Sequence, residues 1–457
     1  MDQVSSYRVD DVIDSHPVGR LQIRVVSFCC LIGALNGFDG QVIGFLAPSI
    51  ATTLRVNVNS FGPMFAAGFV GLMLGAMTMG PLGDRLGRKP ALLISTMAFG
   101  LLAGLTGFVT TVDELILLRF LTGVGLGGAL PNVAALATEY MPKRLSKIPA
   151  SLIGAAIPAG AMLAGMVASV IVPTWGWRWM FFVGGIMPIG LGVALIFALP
   201  ESVRFLSLKI VNQNKLRIIM GKIWPEGVRL NVRFSAHVSA PASGGSVLEL
   251  FKGGRAAVTS MLWVINIMSF MVIYFIISWM PSLLKAASLP MSAGIMSITM
   301  FSFGGVLGAL SEGLLMNRFS PAFVLVGEFV LFALLVGVLG TAPLSYGLVA
   351  AVTFGLGLSI QSAQAGLIIF AVTLYPIEIR STGAGWSVAI GIVGSIIGPL
   401  LGGYAMLAGW SAQQIFLCGA VPALCAAGAA VVIVLIDRVD KHNRQVTGSG
   451  AGPGMVS

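Results

Sequence analysis

Asn36-Gly37-Phe38-Asp39-Gly40-Gln41 lies inside an apolar run from about Val25 to Ile50. A run of that length can cross a bilayer, which takes roughly 20 residues of helix at 1.5 Å each. Asp39 falls more than half-way along it. On insertion scales a carboxylate near the middle of a membrane helix costs roughly 2.5–3.5 kcal/mol. Such a residue faces a protein interior or a wet cavity, and it marks a functional site more often than a packing contact.

Working outward, apolar runs recur at roughly 61–80, 91–111, 115–138, 148–172, 177–199, 257–284, 291–315, 322–341, 345–374, 381–408 and 411–436. Together with the first they make twelve spans, an all-α membrane protein. Composition agrees: of 457 residues 56% are hydrophobic and only 10% charged, against about 25% charged in a soluble domain. A polar break divides the spans six and six. The expected organisation is a segment over 1–24, a six-helix bundle over 25–199, a linker over 200–256, a second bundle over 257–436 and a disordered tail over 437–457. The linker carries Lys209, Lys215, Arg217, Lys222, Arg229 and Arg233, then Pro241-Ala242-Ser243-Gly244-Gly245, and reads as flexible with room for a surface helix.

The net charge of +10 follows from topology. Of 27 Lys and Arg, 23 fall on one side of the twelve spans; Arg55, Arg178 and Lys285 fall on the other, and Arg119 lies within a span. The positive-inside rule then makes both termini and the linker cytoplasmic, and anionic inner-leaflet lipid takes the place of nucleic acid as the basic partner. The four cysteines sit in apolar helices as small hydrophobes, with no metal-ligand spacing. Residues 1–24 carry four aspartates and no apolar core of their own, so they are not a cleaved signal peptide.

An internal repeat supports the division. Gly75-Ala76 to Gly80, Asp84-Arg85-Leu86 and Pro90 match Gly308-Ala309 to Gly313, Asn317-Arg318-Phe319 and Pro321, and Tyr140-Met141-Pro142 matches Tyr375-Pro376. Parallel six-span repeats describe transporters with a site near the midplane between halves.

Gly80-Pro81-Leu82-Gly83-Asp84-Arg85-Leu86-Gly87-Arg88-Lys89, between spans 2 and 3, resembles the Gly-x-Leu-x-Asp-Arg-x-Gly-Arg-Lys loop of the major facilitator superfamily. Within it, Asn36-Gly37-Phe38-Asp39 with Ile43-Gly44-Phe45-Leu46-Ala47-Pro48 resembles the first span of the aromatic acid:proton symporters. Arg119-Phe120-Leu121-Thr122-Gly123 through Pro131-Asn132 is similar to their fourth, and Leu199-Pro200-Glu201-Ser202 closes the first half as theirs does. Trp279-Met280-Pro281, Gln364 and Tyr375-Pro376 to Glu378-Ile379-Arg380 add to the likeness, which covers about Arg20 to Ile436.

The resemblance implies proton-coupled uptake of a small aromatic carboxylate by alternating access. It also implies a cytoplasmic gate built from Gly80, Asp84, Arg85, Gly87, Arg88 and Lys89. Glu139, at the inner end of span 4, joins the gate, as do Glu312 with Arg318 in the second half and Glu378 with Arg380. Depth brings Asp39 and Arg119 together. Asp39 lies about 21 Å from the inner end of its span and Arg119 about 7 Å from the outer end of an opposed one. The pair reads as a switch, in which a proton on Asp39 frees Arg119 to grip a substrate carboxylate; a static ion pair is the competing reading. Gln361 and Gln364 share a helix face, and with Asn266 and Asn36 they are candidates for neutral substrate contacts, balanced against helix–helix hydrogen bonding. Phe38, Tyr274 and Trp386 could stack on an aromatic ring, though packing explains most such residues. Glu328 reads as a snorkelling or helix-contact residue without a partner.

Two departures from the family pattern stand out. Asn36 occupies the place of the first acid of span 1, and Ile392 that of an arginine in span 11. No histidine falls in a span, since His16, His237 and His442 lie outside all twelve. Anion binding thus falls on Arg119, and coupling on Asp39 with one proton per monoanion. No cofactor or metal is expected, and the chain reads as a monomer in a bacterial inner membrane. The alternatives are a symporter or exporter of a non-aromatic acid, and more remotely an aromatic-acid sensor without net transport.

Overall fold

The computed structural model describes residues 6–57, 61–145, 147–208, 213–226, 233–235, 247–376 and 379–449. Among the described residues, twelve helices are long and apolar enough to cross a membrane. In the first half they are α1 (Arg20–Leu54), α2 (Gly62–Leu86), α3 (Arg88–Thr106), α4 (Val112–Glu139), α5 (Lys147–Trp175) and α6 (Arg178–Ala198). In the second half they are α7 (Ala256–Ala286), α8 (Met291–Arg318), α9 (Pro321–Thr341), α10 (Tyr346–Leu374), α11 (Arg380–Leu407) and α12 (Ala412–Ser449). Twelve crossings put both chain termini on one face.

The repeat has a mechanical meaning. Gly71 and Gly75 of α2 lie against the backbone of Phe120 and Val124 of α4, and a methyl at either would strike a carbonyl. Gly304 and Gly308 of α8 meet Phe354 and Leu358 of α10 in the same way. Without a hydrophobic drive between helices in lipid, close backbone packing is what holds such a pair. In each half a glycine-lined crossing of this kind fixes a helix that carries polar site residues, Arg119 on α4 and Gln361 and Gln364 on α10.

The halves meet at and beyond the level of Asp39, on the side away from the termini. Gln41 accepts from Ser302 Oγ at 3.2 Å, Ser49 donates to Met291 Sδ at 3.3 Å, and Phe65 packs edge-on against Trp279 at 5.3 Å. Gly44 lies under the Ile277 carbonyl, and Gly165 against Thr299.

Two parts of the polar regions carry more structure than the sequence predicts. Strand β1 (Ser6–Arg8) pairs in parallel with β2 (Arg233–Ser235) from the linker. Short helices follow at Val9–Ser15, Val203–Ser207 and Gln213–Met220. Their apolar faces, Val9, Val12, Ile13, Leu206, Leu216, Met220 and Phe234, are buried together. The described parts of the linker thus form a small folded layer with the N-terminal segment, because each supplies one apolar stripe that the other covers; the Pro241-Ala242-Ser243-Gly244-Gly245 stretch lies outside the described residues. At the other end α12 runs on to Ser449, so the tail begins as helix; no Gly or Pro interrupts it before Gly448.

Candidate substrate and proton site

Asp39 projects from the middle of α1 and Arg119 from the second turn of α4. Arg119 Nη1 donates to Asp39 Oδ2 at 3.2 Å and Nη2 to Oδ1 at 3.4 Å, a two-pronged contact. The residues are 2% and 5% exposed, so water does not screen the pair. The guanidinium also stands over the Phe181 ring at 5.3 Å from its centroid. That ring face offers further stabilisation to a desolvated cation. Arg119 Nε has no partner among the described residues and remains a free donor.

The pair lines a cavity of about 70 Å³ together with Asn36, Phe65, Phe69, Tyr274 and Ser278. Small-molecule pockets run from about 300 Å³ upward, so this is a contracted site with the ion pair closed. Phe69 and Tyr274 meet across it, ring centroids 4.3 Å apart and planes tilted by 55°. Both halves contribute, since Tyr274 and Ser278 come from α7 and the rest from the first half.

Of the other polar candidates Asn36 lines this cavity, whereas Gln361, Gln364 and Asn266 do not. Asn36 Nδ2 donates to the Leu126 carbonyl at 3.4 Å. Gln364 Oε1 accepts from Ser269 at 2.8 Å, tying α10 to α7. Gln361 packs its stem against Gly305. Asn266 turns its Nδ2 to the Leu262 carbonyl at 2.9 Å and leaves Oδ1 unpartnered among the described residues. Phe38 is buried near Gly184 and is not part of the cavity wall. Trp386 is 41% exposed and stacks on Trp263 at 6.3 Å, away from the cavity. Ile392 does not reach the cavity either.

The gate residues of the first half form one network on the terminus face. Arg88 pairs with Asp84, donates to Asn132 Oδ1 at 3.2 Å and stands 3.9 Å from Glu139. Glu139 takes the Ser202 hydroxyl. Gly87 has φ +108°, a conformation that suits glycine, and its bare Cα lies against the Glu201 carboxylate. Glu201 in turn accepts from the Lys89 backbone at 3.0 Å. Gly80 is nearly open, and Arg85 is exposed beside it. The two matching tyrosines serve as braces. Tyr140 Oη donates to the Glu201 carbonyl at 2.6 Å, and Tyr375 Oη bonds Thr259 Oγ1 at 3.2 Å. Burial pushes both phenols up, which keeps them neutral donors.

In the second half the pattern differs. Arg318 lies over Phe319 at 5.8 Å and Arg380 donates to the Tyr375 carbonyl at 3.3 Å. Glu312 is not paired with Arg318; it takes the Ser362 hydroxyl at 2.6 Å, inside the bundle. Glu378 lies outside the described residues. Sequence reasoning did not single out Phe181, Ser278 or the Gln41–Ser302 bridge. Of these residues and their neighbours in the gate, Gln41, Glu201 and Asn132 stand inside quoted motifs and so carry a signal.

Two similar six-helix halves closing over a buried acid–guanidinium pair define a membrane transporter. The Major Facilitator Superfamily model matches residues 29–369. A 4-hydroxybenzoate transporter from Pseudomonas aeruginosa is 32% identical over 433 residues, covering 94% of this chain and 97% of the relative. A gallate transporter from Pseudomonas putida is 34% identical, covering 92% and 93%. Among solved structures, the xylose transporter of E. coli in a partially occluded inward-open conformation superposes with TM-score 0.70 at 17% identity, covering 90% and 97%. The chain belongs to the major facilitator superfamily and, within it, to the aromatic acid transporters; it is an integral membrane transporter and not an enzyme.

Proposed function

We propose that this protein takes up a small aromatic carboxylate together with protons, by alternating access, across a bacterial inner membrane with its termini in the cytoplasm. The observation that carries the proposal is the two-pronged Asp39–Arg119 contact in a small cavity walled by Phe65, Phe69 and Tyr274. With the pair closed, the guanidinium is occupied. A proton on Asp39 removes the charge that holds Arg119, and the freed planar fork takes a cargo carboxylate in the same geometry. Cargo and proton then occupy the site together. Their loss lets the pair re-form, and the empty carrier returns.

The aromatic rings provide apolar faces for the cargo's own ring, and Asn36, Ser278 and Tyr274 offer neutral hydrogen bonds for its substituents. The relatives named for 4-hydroxybenzoate and gallate support that class of cargo. The basic loops on the terminus face, with 23 of 27 cations, support the orientation.

The test is uptake of labelled 4-hydroxybenzoate by a host that cannot degrade it, with unlabelled aromatic and aliphatic acids as competitors. Accumulation that collapses with a protonophore, and that aromatic acids alone compete away, is the expected result. Arg119→Ala should abolish it while the protein still reaches the membrane. Equal competition by aliphatic acids would overturn the aromatic assignment, and uptake indifferent to the protonophore would overturn the coupling.

A further inference from the structure

Glu312 of α8 and Glu328 of α9 are 1% and 8% exposed, and both sit inside the second half. Along their helices they lie about 9 Å and 10 Å from the α8–α9 turn. Ser362 of α10 closes the group, donating to Glu312 Oε2 at 2.6 Å, and Glu328 stands near enough to Glu312 for the two carboxyls to act on each other. Gly366, one turn further along α10, leaves the space that Glu312 fills. Glu312 Oε1 and both oxygens of Glu328 lack a hydrogen-bond donor among the described residues.

Among the described residues no cation answers these charges, and neither carboxylate is in an ion pair. Arg318, at the end of α8, lies over Phe319. α9 has no other ionisable side chain, and α10 has only Tyr346 at its far end. Of the other helices packed on α8 and α9, α5 carries Lys147 at its first residue. α7 carries Tyr274 and Lys285, α12 carries Cys418 and Cys425 within its span, and α1 carries Arg20, Arg24, Cys29, Cys30 and Asp39. Arg119 is engaged by Asp39.

Two carboxylates this close, buried and without a cation do not both stay ionised, because repulsion adds to desolvation. The group has one hydroxyl proton, from Ser362, and three oxygens without a donor. A proton on one carboxyl turns it into the donor that its neighbour lacks. We propose that Glu312 and Glu328, closed by Ser362, are a second proton-binding site, separate from Asp39, and that this proton travels in the transport cycle.

The second clause rests on the symport reading above; the first does not. Two protons with one monoanion carry one net positive charge inward. The membrane potential then multiplies steady-state accumulation by about fiftyfold per 100 mV. The single-proton expectation drawn from Asn36 gives no such dependence.

The experiment uses the full chain in proteoliposomes, with labelled 4-hydroxybenzoate, a fixed pH gradient and a potential set by potassium and valinomycin. The wild type should respond to potential by that factor, and Glu328→Gln should lose the response. Wild-type accumulation that follows the pH gradient but ignores potential overturns the travelling second proton and leaves the symport reading standing. No accumulation under either gradient overturns both.

Infrared difference spectra of the wild type in lipid, stepped in pH, test the site without transport and without reliance on a variant that folds. The carbonyl stretch of a protonated carboxyl should be present near neutral pH, vanish on alkalinisation and persist in Asp39→Asn. Its absence from the wild type, or its loss in Asp39→Asn alone, overturns the site itself.

Discussion

Replacing Arg119 by Met removes the cation and keeps an apolar stem of similar length. Asp39 is then left 2% exposed with no counter-charge. At the observed 3.2 Å, Coulomb's law with an effective dielectric constant of about 20 gives an attraction of about 5 kcal/mol. Breaking a buried pair by deleting one partner costs about 3–5 kcal/mol by experience with other proteins. The two estimates agree, so Arg119→Met should lower stability by about 4 kcal/mol. Asp39→Asn, which leaves a buried guanidinium over Phe181, should cost somewhat less, since the ring face at 5.3 Å still stabilises the cation. The double variant carries neither charge and should recover most of the loss. Reversible unfolding of all four proteins in mixed micelles, titrated with a denaturing detergent, measures the cycle. A coupling energy of several kcal/mol is expected. Additive single effects, with coupling below about 1 kcal/mol, would refute the reasoning, because the two groups would then not be paired in the resting protein.

Further expectations concern neighbouring parts. Gly44→Ala sets a methyl against the Ile277 carbonyl where the halves meet; it should part them on the side away from the termini and speed labelling of a cysteine placed at Ser278 from that side. Gln364→Ala removes the acceptor for Ser269; at about 1 kcal/mol per net hydrogen bond, apparent substrate affinity should fall about fivefold in uptake assays. Arg88→Ala frees Asp84, Asn132 and Glu139 at once. It should slow uptake at least tenfold with little change in substrate binding, read by equilibrium dialysis of the purified protein.

Much of the fold was open to reading because lipid allows few solutions. Twelve apolar runs must be twelve helices, since every backbone group has to be satisfied within its own segment. Depth along a helix is equally readable. Counting residues from the span ends brought Asp39 and Arg119 to one level, where the structure joins them. Rotation about the helix axis is what counting does not give, and there the reading was thinner. Trp386 is exposed beside Trp263 and takes no part in the cavity. Glu312 was placed with Arg318 by nearness in sequence, yet its helix face turns it to Ser362. Glu328 lacked a partner on paper because its neighbours arrive from α8 and α10, at separations no motif records. The folded layer of the N-terminal segment and linker was hidden for a related reason. A three-residue parallel pairing across more than two hundred residues leaves no local pattern.

Whether the Asp39 carboxyl carries the coupling proton is tested most directly by comparing two transport modes of Asp39→Asn in proteoliposomes. Asn cannot gain or lose the proton, but it leaves Arg119 free to bind cargo. Exchange of labelled for unlabelled 4-hydroxybenzoate at equilibrium should therefore continue, while uphill accumulation driven by a pH gradient should fall by about tenfold per pH unit of gradient, the loss of one coupled proton. Full uphill accumulation by that variant would contradict the account.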